Sequence, residues 1–204
     1  MQGRVKTDFF INFHREQTNV MDYNNVLKFW FQEISPAQWW KKDPDLDSLI
    51  TDRFASIYSQ ASLGELYTWR HSIRGRLAEV IILDQFSRNM FRGLAQSYAT
   101  DAMALALSQE AIRIINENPS VSQDLSAVEK SFLYMPFMHS ESVMIHEIAK
   151  KLFDEIAIQS NINSAKQHYD IIKRFGRYPH RNQLLWREST PEEMEFLEQP
   201  GAGF

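Results

Sequence analysis

A chain of 204 residues with a net charge of −4 and no cysteine excludes several chemistries at the outset. Disulfides, thiolate catalysis, Cys-ligated zinc and iron–sulfur clusters cannot be built without cysteine, and an acidic surface disfavours general nucleic-acid binding, which needs phosphate neutralisation. A content of 44% hydrophobic and 13% aromatic residues supplies one large core, and only 7 Gly and 7 Pro argue against a turn-rich all-β design.

No apolar run approaches the roughly 20 residues that cross a bilayer, so a soluble, cytoplasmic protein with no membrane partner is expected. Residues 1–21 read as a poorly structured extension. Helical patterning begins directly after Met21, a candidate start, and residues 22–204 read as one helical domain. Asp22 is expected to cap a helix through Val26, Leu27, Phe29, Trp30 and Phe31. Ser35-Pro36 opens a short helix carrying Trp39 and Trp40. Asp43-Pro44 breaks the chain, and Asp47 begins an amphipathic helix through Leu49, Ile50, Phe54, Ile57 and Tyr58, ending at Leu63-Gly64.

From Ser72 to Phe86 the run Leu77-Ala78-Glu79-Val80-Ile81-Ile82-Leu83 fits a buried strand by periodicity, but its flanks carry no turn residues and favour a central helix. Gly93 closes that region. Thr100-Asp101 caps a helix that stops before Pro119. Ser126 opens another that Pro136 interrupts, and Ser140 restarts a helix through Ile145, Leu152 and Phe153. Ser164 begins one more, ending at Gly176 in the left-handed conformation. A short helix is expected near Gln183–Arg187, and Thr190-Pro191-Glu192-Glu193 is a capping box for a terminal helix. The expectation is all-α, with about eight or nine helices in one compact domain.

Three segments place polar residues where a core does not need them. In Leu83 to Gly93, the residues Arg88, Asn89 and Arg92 leave the most apolar helix; a plain i,i+4 pair of Asp84 with Arg88 and an Asn89 cap would also account for them. In Tyr134 to Ser142, a Pro break followed by Ser140 offers free backbone N–H groups as an anion site, although Ser140 and Glu141 equally suit capping and dipole compensation. From His168 to Arg187 the chain concentrates His168, Lys173, Arg174, Arg177, His180, Arg181, Asn182 and Arg187, with five Lys or Arg and no acid between 173 and 187. Arginine forks match carboxylate or phosphate oxygens in pairs, and Phe175 and Tyr178 could stack on a planar ring.

Zincin, phosphate-loop, dinucleotide-glycine and Gly-x-Ser-x-Gly patterns are missing, and the His-x-Glu of His139-Ser140-Glu141 lacks the cysteines of zinc deaminases. No spacing demands a metal from His139, Glu141, His168 and His180. None is expected, and no cofactor is indicated.

At these segments the chain resembles the bacterial family catalogued as domain of unknown function 924. The words that carry the likeness are Val26-Leu27-Lys28-Phe29-Trp30-Phe31, the run Leu83 to Gly93, Phe132-Leu133-Tyr134-Met135-Pro136, His139-Ser140-Glu141, Arg174 to Asn182, and Ser189-Thr190-Pro191-Glu192-Glu193. The resemblance covers about Tyr23 to Phe204. It implies a tetratricopeptide-like helical array and no established activity; Ser87 stands where the family pattern has Pro.

The leading expectation is a polar pocket for a small anionic ligand, such as a phosphorylated or carboxylated metabolite. Arg88, Asn89, Arg92, His168, Arg174, Arg177, Arg181 and Asn182 are its ligand-binding candidates. His139, His180 and Glu141 are candidates for proton transfer. The alternative is a helical-array module that binds a protein or peptide partner, its groove lined by exposed aromatics such as Trp39 or Trp40.

Overall fold

A computed structural model describes residues 22–202; the expected N-terminal extension and start lie outside them. Nine α-helical segments and several 3₁₀ and π turns make up the described chain, and no strand forms among these residues. The α-helices are α1 (Tyr23–Lys28), α2 (Pro44–Ser62), α3 (Ile73–Ile81), α4 (Ser87–Met90), α5 (Asp101–Glu117), α6 (Ala127–Met138), α7 (Val143–Ile156), α8 (Gln159–Phe175) and α9 (Pro191–Leu197). None of them is long and apolar enough to cross a membrane.

The centre is the rod formed by α3, a π turn at Ile82–Phe86 and α4. Residues 77–83 are 0% exposed, as a helix apolar nearly all round requires. The α3 segment touches α1, α5 and α6, while α2 covers the π turn and α4. Beyond this centre the chain continues as an α6–α7–α8 array. A second π turn, Phe29–Glu33, follows α1. Rings from the two turns interlock, with Phe29 and Trp30 set edge-on to Phe86 at centroid distances of 5.9 and 5.6 Å.

Several boundaries follow their caps. Ser126 and Glu129 form a reciprocal capping box at α6, Thr190 and Glu193 another at α9, and Gly176 ends α8 at φ +70°. Others differ from expectation. The α2 helix begins at Pro44, with Asp43 capping from the preceding position, because Pro suits the first helical turn. Asp22 and Thr100 precede helices without capping them through their side chains; Thr100 Oγ1 instead donates to Leu83 O at 2.6 Å.

Pro136 does not interrupt α6. It sits in the last turn, where its missing N–H removes a single bond, and the chain breaks only after Met138. The next helix starts at Val143 rather than Ser140. Ser164 lies inside α8, which already starts at Gln159 because Ala157 in left-handed backbone (φ 55°) turns the chain. Residues 182–186 form turns rather than the expected helix.

One glycine is fixed by packing. Ser72 caps α3 by accepting from Gly75 N at 2.9 Å, and the 3₁₀ turn Tyr67–His71 lies so close that a Cβ on Gly75 would stand 2.0 Å from Trp69 O. Gly75→Ala is expected to destabilise the protein by about 1–3 kcal/mol through this overlap. A shift in the urea midpoint would measure it, and an unchanged midpoint would contradict the close approach.

Candidate functional site

The π turn in the central rod creates the site. Its bonds run to the fifth residue, as in Ser87 N–H to Ile82 O, so carbonyls next to it lose their usual α-helical partners. Leu83 O accepts from Ser87 Oγ at 2.7 Å and from Thr100 Oγ1, and Asp84 O accepts from Arg88 Nη1 at 2.6 Å. The turn also sets the fully buried Asp84 side chain toward the end of α6, where His139 Nδ1 lies 2.7 Å from Asp84 Oδ1.

A carboxylate only accepts, so Nδ1 carries the proton and Nε2 keeps the lone pair. Among the described residues Nε2 has no hydrogen-bond partner, and the ring lines the cavity. Around this pair lies a cavity of about 800 Å³. Five stretches build it: Trp39 to Lys42 at the end of the 3₁₀ turn Pro36–Trp40, Gln85 to Gly93 on and just beyond the central rod, Ser97-Tyr98, the end of α6 at Met135, Met138 and His139, and α8 with the loop beyond it. The last contributes Ser160, Asn161, Ser164, His168, Tyr178, His180 and Arg181.

Two arginines line its floor, with two carboxylates behind them. Arg88 lies 3.2 Å from Asp84 and 3.0 Å from Asp101, and Arg181 reaches Asp101 at 3.2 Å and His139 O at 3.1 Å. The Arg181 guanidinium is sandwiched between the Tyr98 and Tyr178 rings, 4.5 and 4.4 Å from their centroids. The Tyr178 hydroxyl donates to Met138 O, and its ring neighbours those of His180 and His168 at 5.4 and 5.7 Å.

Burial and charge set the protonation states. Burial alone would raise the Asp84 carboxyl, but Arg88 and then His139 hold it well below the usual carboxylate range. Burial, then Arg88, lowers His139 against the pull of Asp84. His168 is pushed down to about 3 by burial and by His139, and His180 to about 4 by burial and by Arg181. All three imidazoles are therefore neutral at pH 7. No group of three or more His, Asp or Glu among the described residues is arranged to hold a metal.

The structure divides the expected residues into two sets. Arg88, Asn89, Arg92, His139, His168, His180 and Arg181 line the cavity. Asn89 is not a helix cap: it donates to Asp47 Oδ1 at 2.8 Å, and Arg92 grips the same carboxylate through Nε at 2.6 Å.

Arg174, Arg177 and Asn182 stand away from the cavity and fasten α9. Arg174 bonds Glu192 at 2.9 Å, Arg177 bonds Glu193 at 2.7 Å, and Asn182 reaches Glu193 at 3.2 Å. Arg177 holds the Glu193 carboxyl down to about 2. Glu141 likewise lies outside, clasped by Arg187 at 2.6 Å while accepting from Tyr178 N at 2.8 Å. Phe175 packs on Phe196 at 5.1 Å and is no ligand platform, whereas Tyr178 lines the cavity.

Sequence reasoning paired Asp84 with Arg88 at i,i+4, a pair that forms at 3.2 Å, but did not set Asp84 or Asp101 behind a cavity, and it missed Tyr98, Asn161 and the pair Lys41-Lys42.

With this geometry described, relatives can be compared. No curated protein matches the chain. A solved structure, that of the protein of unknown function ATU0120 from Agrobacterium tumefaciens, is 37% identical, with a TM-score of 0.80 over 87% of this chain and 97% of that one. The model for a family described as bacterial protein of unknown function (DUF924) matches residues 26–201, which takes in the central rod and every stretch of the cavity wall, and the chain belongs to that family.

Proposed function

We propose that the cavity binds a small anionic metabolite and that His139, backed by Asp84, accepts a proton from it. One observation carries the reading. Among the described residues every charged side chain on the wall is basic (Lys41, Lys42, Arg88, Arg92 and Arg181), while the carboxylates Asp47, Asp84 and Asp101 stand behind the wall. A ligand inside meets donors and positive charge and no carboxylate. His139 supports the chemical half. The neutral ring presents Nε2, the proton moves onto it, and Asp84 stabilises the imidazolium that results.

Trp186 favours a partner-protein module as the second reading, since it is 94% exposed in left-handed backbone at φ 55°.

The test is a thermal-shift screen against phosphate esters and organic acids. A ligand at about 100 times its dissociation constant adds roughly 2.7 kcal/mol, which raises the midpoint of a domain this size by about 5–10 °C. The shift should persist in Arg174→Ala, whose side chain lies off the cavity, and vanish in Ser164→Trp, which fills it from α8. A flat screen on folded protein overturns the reading.

A further inference from the structure

The wall is uniformly basic, but its cations are not equally available. Arg88 and both Nη groups of Arg181 are engaged by Asp84, Asp101 and backbone carbonyls, Arg181 Nε alone being buried without a partner, and these two cations face two carboxylates. With His139, His168 and His180 neutral, the floor together with the two carboxylates behind it carries no net charge. An anion driven to that floor would give up its hydration without an unmatched cation to receive it. Arg92 is closed on both oxygens of Asp47, at 2.6 and 2.8 Å.

Lys41 and Lys42 differ. Both are exposed at the wall, and neither makes an ion pair within the described chain. They follow directly on Trp39 and Trp40, which fix their place. Trp39 Nε1 donates to Trp30 O at 2.9 Å, and Trp40 stacks on Phe132 with planes 8° apart. The same wall includes the apolar side chains of Met135 and Met138, on the helix that ends at His139.

We infer that the ligand is an amphipathic anion whose phosphate or carboxylate head sits on Lys41 and Lys42 and whose uncharged, planar or apolar body passes Trp39 and Trp40 toward His139. This rests on the pocket reading above and adds the ligand's orientation and class. The group that gives its proton to His139 is an uncharged one at the inner end of the body.

Calorimetric titration of 1-naphthyl phosphate, inorganic phosphate and 1-naphthol into the full chain tests it. Naphthyl phosphate should bind at least about tenfold tighter than either fragment, a difference of about 1.4 kcal/mol. Lys41→Ala/Lys42→Ala should weaken naphthyl phosphate about tenfold and reduce its salt dependence. The same variant should leave naphthol unchanged, and Lys41→Arg/Lys42→Arg should restore the phosphate ester. Both lysines are exposed, so the variants keep their fold. If the double alanine variant binds naphthyl phosphate like the parent while Ser164→Trp abolishes binding, the orientation is wrong and the pocket stands. Silence with all three probes on folded protein overturns the inference, while the phosphate-ester and organic-acid screen decides the pocket reading separately.

Discussion

Asp84→Ala is expected to cost about 3–5 kcal/mol, because it strips a fully buried carboxylate from Arg88 and His139 and leaves their polar groups without a partner. Asp101 also faces Arg88 at 3.0 Å, so part of the charge stays compensated and the lower end of that range is expected. In a chain of this length the melting midpoint should fall by on the order of 10 °C. Urea unfolding is the cleaner measurement, with the midpoint moving and the slope unchanged. Asp84→Asn keeps the shape and one acceptor, so it should cost less while still removing the charge that stabilises protonated His139. A loss below about 1 kcal/mol for Asp84→Ala would mean that the ion cluster does not hold the π turn in place.

The second large effect is in acid. His168 and His180 are held at about 3 and about 4 in the folded protein, and His139 and His146 are also lowered, in each case chiefly by burial. An unfolded histidine takes its proton near 6.5. Above that value both states are neutral and these groups leave stability independent of pH. As pH falls below it, the unfolded chain binds protons that the native chain refuses, so stability declines. The decline continues until the folded pKa values are reached.

His168 alone should contribute a slope of about 1.4 kcal/mol per pH unit between roughly pH 6 and pH 4, with His180 adding a smaller amount because it is less buried. Asp84 and Glu193, both lowered in the fold, add their losses only at lower pH, as carboxylates begin to protonate. Urea midpoints measured from pH 7.5 to 4.5 test this, and His168→Gln should flatten the profile by about one proton. A stability that stays level from pH 7 to 5 would show that these histidines are not held neutral.

Features decided by neighbours three or four residues apart were legible in the sequence. The helix start at Ser126, the Thr190–Glu193 box and the Gly176 stop are short-range arrangements, and each stands where its pattern put it. The same residue types misled wherever a tertiary partner claimed the side chain. Thr100 bonds Leu83 O, and Asp47 holds Asn89 and Arg92.

The basic run after Lys173 reads as one feature but serves two purposes. Arg181 turns into the cavity, while Arg174 and Arg177 meet the acids of α9, and only the path of the loop separates them. The Asp84–His139 pair spans 55 residues of chain and leaves no local trace. Both π turns were equally hidden, since hydrophobic spacing at 29–33 and 82–86 looks like ordinary helix.

The turn at Ile82–Phe86 also bears on descent. A π turn holds one residue more than the α turn it replaces. Deleting a single residue there would close the wide turn into an ordinary α turn, leave the helix beyond it facing much as before, and return the carbonyls now held by Ser87, Thr100 and Arg88 to backbone N–H donors. The apolar half of the rod, from Ile73 to Ile81, would keep its place. One codon therefore separates a plain packing helix from one whose freed carbonyls anchor Thr100 and Arg88, and a lineage that has lost that codon should retain the scaffold with those two side chains released from the turn.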